Sequence, residues 1–169
     1  MKTSMVVWAV VGIVIAVGAW YWMNARTPAA PTYIINGQSV TLINGRAETP
    51  AAPGSASKVV TQYFGNVATG DLSGDGAPDV AFLVTQNSGG SGTFYYVVAT
   101  LVNADGSYRG TNAVLLGDRI APQTTEIRNG EIIVNYAERK AGEPMTAKPS
   151  VGVSKYLKVM GTVLAEVKP

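Results

Sequence analysis

The chain reads as a mainly β protein, an antiparallel sandwich or barrel domain preceded by one N-terminal transmembrane helix. Roughly ten short runs rich in β-branched and aromatic residues follow one another over about 135 residues, the spacing expected of hairpins. Turn dipeptides stand between many of them: Asn36-Gly37, Asn44-Gly45, Asp105-Gly106, Asn129-Gly130 and Met160-Gly161. Ahead of all this, Met5 to Met23 runs nineteen residues without a charge.

As a helix, residues 5–23 span ~28 Å at about 1.5 Å per residue, which matches the core of a lipid bilayer. Trp20, Tyr21 and Trp22 cluster at the C-terminal end, where amphipathic rings favour the headgroup region. A cleaved signal peptide is the competing reading. The apolar run is longer than a typical signal core, however, and Met23 and Ala25 do not make a small-x-small cleavage pair, so residues 1–26 are expected to be an uncleaved anchor. The chain has no cysteine, which excludes lipid attachment through a thiol, and the apolar segment lacks the Glu of a pilin-like N-terminus. Lys2 and Arg26 nearly balance across the segment, so orientation follows from the rest of the chain. The N-terminus is expected in the cytoplasm and the C-terminal domain in the periplasm or outside the cell. Residues 27–32, TPAAPT, form a semi-rigid Pro/Ala spacer.

The domain proper is expected over 33–169. Tyr33–Ile35, Gln38–Ile43 and Arg46–Glu48 read as a meander, because Asn-Gly turns let both central residues take φ > 0. Val40 and Leu42 alternate with polar neighbours, the pattern of a half-buried strand. Pro50–Ser57 is a loop by composition. Val59, Val60, Tyr63 and Phe64 recur at helical spacing, while the β-branched Val59, Val60 and Thr61 favour a strand, so 57–64 stays open between the two. Val80–Thr85 and Thr93–Val102 are apolar on both faces, as in the middle of a sheet or sandwich. Strands follow at Thr111–Leu116, Thr124–Arg128, Glu131–Tyr136, Val151–Val159 and Thr162–Val167, with Ala137–Ser150 as the longest loop.

The stretch Phe64–Val84, FGNVATGDLSGDGAPDVAFLV, holds three of the eleven acidic residues of the chain within nine positions. A hard cation such as Ca²⁺ takes six to eight oxygens, and side chains at loop positions 1, 3, 5 and 9 with a carbonyl at 7 can converge on one point. Those positions are Asp71, Ser73, Asp75, the carbonyl of Ala77, and Asp79. Gly76 stands where such a loop turns sharply, and Pro78 holds Ala77 extended. An EF-hand would place Glu at position 12 and continue as a helix, whereas here that position is Phe82 inside a β run.

Phe64-Gly65, Val67-Ala68, Gly70-Asp71-Leu72, Gly74-Asp75-Gly76 and Pro78-Asp79-Val80 together resemble one FG-GAP repeat, the integrin-type, VCBS-like calcium motif. The resemblance covers about twenty residues and implies calcium binding by loop 70–79. Ser73 departs from the Asp or Asn the family prefers, and a single copy does not build a propeller. GTFYYVVATLVN and GDRIAPQTTEIRNGEIIVNYAERKAGEP also resemble a group of bacterial envelope domains to which no activity attaches, which implies an envelope location.

Composition narrows function further. With no histidine and no cysteine, histidine-dependent triads, His-ligated zinc, thiol catalysis and disulfides are all excluded. The net charge is +2 with dispersed basic residues, so no nucleic-acid partner is expected. Two functions remain. One is a membrane-anchored extracytoplasmic calcium-binding module whose partner is an envelope protein or polysaccharide. The other is a small carboxylate-dependent hydrolase drawing on Asp118, Glu126, Glu131, Glu138 or Glu143. Tyr95 and Tyr96, in a β run, read as packing residues.

Overall fold

The computed structural model describes residues 30–168, which form twelve strands and, among the described residues, no helix. The expected anchor at 5–23 lies outside them; among the described residues no helix is long and apolar enough to cross a membrane. The strands are β1 (Thr32–Ile35), β2 (Gln38–Thr41), β3 (Arg46–Pro50), β4 (Lys58–Gly70), β5 (Asp79–Asn87) and β6 (Phe94–Val102), then β7 (Tyr108–Gly110), β8 (Val114–Asp118), β9 (Ala121–Arg128), β10 (Glu131–Glu138), β11 (Val151–Met160) and β12 (Val163–Val167). All named pairings are antiparallel.

Three sheets result. A hairpin of β1 and β2 lies beside a six-stranded sheet ordered β3-β4-β5-β6-β7, with β8 also on β6, and a four-stranded meander is ordered β12-β11-β10-β9. The middle sheet holds β5 and β6, whose side chains alternate between two cores. Ala81, Leu83, Val97, Ala99 and Leu101 face one cluster with Ile132, Val134, Leu157 and Leu164 of the meander. Phe82, Val84, Tyr96 and Val98 face the other, with Tyr33, Ile35 and Val40 of the hairpin. The two runs expected in the middle of a sheet are therefore covered on both faces, and the protein has β-sandwich character.

The Asn-Gly turns take the expected φ, 52° and 78° at Asn36-Gly37, 51° and 78° at Asn44-Gly45, and 51° and 73° at Asn129-Gly130. The expected meander nevertheless stops at β2: Asn44-Gly45 closes only the isolated Ile43–Arg46 bridge, and β3 pairs with β4 in the six-stranded sheet. Residues 58–64 belong to strand β4, with no helix. Its thirteen residues pair with both β3 and β5, and its register with β5 shifts on either side of Gly65. That bulge, with φ 123° at Gly65 and 51° at Asn66, lets β4 bend toward the meander, where Asn66 Nδ2 donates to the Gln123 carbonyl at 3.2 Å.

The strand expected at 111–116 is interrupted. β7 and β8 share one edge of β6, and between them the chain turns toward β1: Thr111 N–H still donates to the Ala99 carbonyl of β6, but the Thr111 carbonyl accepts the Ile34 N–H and Ala113 N–H donates to the Ile34 carbonyl. The Thr111 hydroxyl fills the gap by accepting the Ala99 N–H at 3.0 Å. Asn112 ties the same segment to β12, donating to the Leu164 carbonyl and accepting its N–H. A run of β-formers is thus broken by long-range partners that local propensity does not encode.

The hairpin packs so closely that Gly110 has no room for a side chain: a Cβ there would sit 2.4 Å from the Thr32 carbonyl oxygen. Gly110→Ala is expected to destabilise the protein by about 1–3 kcal/mol in urea denaturation, as overpacking against backbone does. Gly90→Ala, which meets nothing within 4 Å, should change stability by less than ~0.5 kcal/mol.

Candidate functional site

Loop 70–79 connects β4 to β5 at one end of the two central strands. Its base is anchored twice. Leu72 inserts into the core between the middle sheet and the meander, and Asp79, fully buried at 0% exposure, lies beneath the chain. One Asp79 oxygen, Oδ2, accepts the N–H groups of Leu72 at 2.8 Å and Ser73 at 2.9 Å, while Oδ1 accepts Val102 N–H at 2.9 Å. A single carboxylate therefore ties the loop, the start of β5 and the end of β6. Burying it is tolerated because three charge-assisted bonds replace water.

The tip is different. Asp71, Ser73 and Asp75 are exposed. Asp71 closes the turn by accepting Gly74 N–H at 2.6 Å and Gly76 N–H at 3.0 Å, and Asp75 accepts Ala77 N–H at 2.8 Å. Gly74 and Gly76 have φ of 80° and 83°, the left-handed region expected for the sharp turn. Nearby, Gly70 has no room for a Cβ, which would lie 2.6 Å from Ile127 Cγ2 on β9. The five residues singled out by spacing thus share one loop but divide in role. Asp79 is committed to backbone amides, and Asp71 and Asp75 shape the tip. Among the described residues no three acidic side chains form a preassembled metal cage.

Of the other carboxylates, Glu48, Asp118, Glu126, Glu131 and Glu166 are dispersed in ion pairs, and among the described residues Asp105, Glu138 and Glu143 are in none. Asp118 binds Arg119 at 2.7 Å and accepts Thr93 N–H at 2.8 Å. The Arg119 guanidinium holds the Asp118 carboxyl below the usual carboxylate range against its partial burial, with the Thr93 N–H and the charge of Arg139 acting in the same direction. Arg119 itself has φ 47°, and Arg139 reaches its carbonyl at 3.0 Å and the Ala147 carbonyl at 2.7 Å, pinning the 139–150 loop. Glu126 pairs with Arg128, and Glu131 pairs with Lys158 at 3.0 Å; Glu143 accepts the Lys140 N–H at 3.1 Å.

Compared with protein-family profiles, curated proteins and solved structures, the chain matches none. One polar cluster escaped the reading of spacing and composition: Asn36, Gln86 and Tyr96, at the opposite end of β5 from the loop. Its only local signal, Asn36-Gly37, reads as a turn.

The division of labour within the loop sets unequal costs. In EDTA, Asp79→Ala should lose about 3 kcal/mol or more of unfolding free energy, because three backbone N–H groups lose their acceptor inside the protein. Asp75→Ala, at the exposed tip, should cost less than ~1 kcal/mol by the same denaturation measurement.

Proposed function

We propose that this chain is a membrane-anchored extracytoplasmic β-domain of the cell envelope, and that loop 70–79 binds Ca²⁺ and presents a surface to an envelope protein or polysaccharide. The conformation of the loop carries the reading. The sixth position, Gly76, is left-handed, and its N–H closes onto the carboxylate of the first, Asp71, so the backbone already follows the tight turn that a cation loop requires.

The donor set fits a hard cation. All side-chain donors are oxygens, and the Asp75 Oδ2 and Ser73 Oγ atoms have no hydrogen-bond partner among the described residues. A carboxylate offers about four lone-pair sites, so Asp71 can serve an ion while still accepting two amides. Asp71, Ser73, Asp75 and the Ala77 carbonyl would hold the ion, and Asp79, with three sites already taken, would contribute at most one oxygen. Calcium bound there would neutralise the acidic tip and stiffen the turn between two rigid strands. The apolar segment 5–23 supports the anchor, and the Pro/Ala spacer, which ends where β1 begins at Thr32, would set the domain just off the bilayer. Mildly charged loops of this kind suit the millimolar calcium found outside the cytoplasm.

Three carboxylates and one neutral hydroxyl predict weak affinity, with a Kd of ~10⁻⁴ to 10⁻³ M, and poor competition by Mg²⁺. Calcium at ~100 times Kd should add about 2.7 kcal/mol to the folded state. The melting temperature of the full chain in detergent should therefore rise as calcium is titrated to tens of millimolar. Asp75→Ala should flatten the response, and Ser73→Asp should saturate it at lower calcium. A wild-type melting temperature indifferent to calcium would leave the loop as an acidic turn and nothing more.

A further inference from the structure

At the far end of the central strands, roughly 24 Å from Asp79 at about 3.4 Å per residue, the hairpin tip leans over the sheet and leaves a cleft of about 280 Å³. Its floor is polar and largely buried: Gln86 is 6% and Tyr96 5% exposed. Asn36 Nδ2 donates to Gln86 Oε1 at 3.1 Å and to the Tyr96 hydroxyl at 2.9 Å, and Gln86 Nε2 donates to Thr61 Oγ1 at 3.1 Å. The rim is mostly apolar, with Phe94 39% and Leu115 47% exposed and Val59 alongside, and Ser88 adds one exposed hydroxyl. Among the described residues, no charged side chain lines the cleft.

The bonds already made leave specific valences open. Asn36 spends both amide hydrogens, so Oδ1 remains an acceptor. Tyr96 accepts from Asn36, so its own O–H remains a donor, and one Gln86 N–H is also unspent. An acceptor beside two donors, under a mostly apolar rim, is the complement of an acetamide: its N–H to Asn36, its C=O to Tyr96 or Gln86, its methyl against Phe94 and Leu115. The exposed Phe94 ring offers a face to the C–H side of a sugar ring. Peptides bound by sheets use free backbone at a strand edge, and here Gln86 pairs with Phe94 while Tyr96 pairs with Val84 and Leu115. Recognition at this cleft is by side chains, of a discrete unit. We propose that the Asn36–Gln86–Tyr96 cleft binds a neutral sugar carrying an acetamido group. The proposal rests on the binding-module reading for its polysaccharide partner and is independent of calcium.

The test is saturation-transfer NMR on the full chain in detergent and EDTA, with N,N′-diacetylchitobiose as probe and cellobiose, which lacks the acetamido group, as control. Running without calcium separates a failure here from a failure of the metal loop. Saturable transfer strongest at the acetyl methyl is expected, with cellobiose at least tenfold weaker. Phe94→Ala, and Asn36→Gly, which keeps the positive φ of the turn, should each weaken the probe at least tenfold while melting cooperatively. Equal response to both sugars would overturn the acetamido assignment. Absence of saturable transfer, or transfer unchanged in both variants, would overturn the site, and tighter binding of N-acetylalanine methylamide would replace sugar by peptide.

Discussion

Strands β5 and β6 are apolar on both faces, and the rest of the domain is arranged to cover them. Residues of this kind gain about 1.5–3 kcal/mol each when fully buried, so neither face can be left in water. The meander β9–β12 covers one face, and the β1–β2 hairpin covers the other. Sequence distance is no obstacle, because the hairpin comes before these strands and the meander after them. The cost is a set of long-range ties, of which Asn112 is the clearest: its segment pairs with β1 while its side chain holds β12.

Polar chemistry is thereby driven to the ends of the central pair. At one end Asp79 accepts backbone N–H groups from the loop and from β6, and at the other Gln86 joins Thr61 to the hairpin tip. Both side chains are buried, and both connect elements that the apolar cores alone would leave unregistered. The two proposed binding places lie just outside these closures, where a rigid base meets an exposed rim. A base held in this way reduces the ordering that a ligand must impose.

Much of this fold is legible in local chemistry. Asn-Gly dipeptides take the left-handed conformations that their residue types favour, and the doubly apolar runs occupy the centre. Illegible parts depend on distant partners. Residues 57–64 carry both helical spacing and β-branched residues, and pairing with β3 and β5 decides for a strand. Thr111–Leu116 reads as one strand until Ile34 and Leu164 claim its first residues. Within the loop, the Asp71, Asp75 and Asp79 spacing was visible, but the separate role of Asp79 was not, since one of its partners, Val102, lies twenty-three residues on. Asn36 was legible only as a turn residue, because Gln86 and Tyr96 reach it through the tertiary fold.

The calcium reading turns on whether the loop tip, and not its base, responds to the ion. Amide-resolved NMR during a calcium titration reads that difference directly. Gly74, Gly76 and Ala77, whose N–H groups lie on Asp71 and Asp75, should shift saturably and together, with a single Kd of ~10⁻⁴ to 10⁻³ M. Leu72 and Val102, held by Asp79, should shift far less. Tip resonances that stay in place, or drift linearly without saturation to tens of millimolar calcium, would contradict a metal site at this loop.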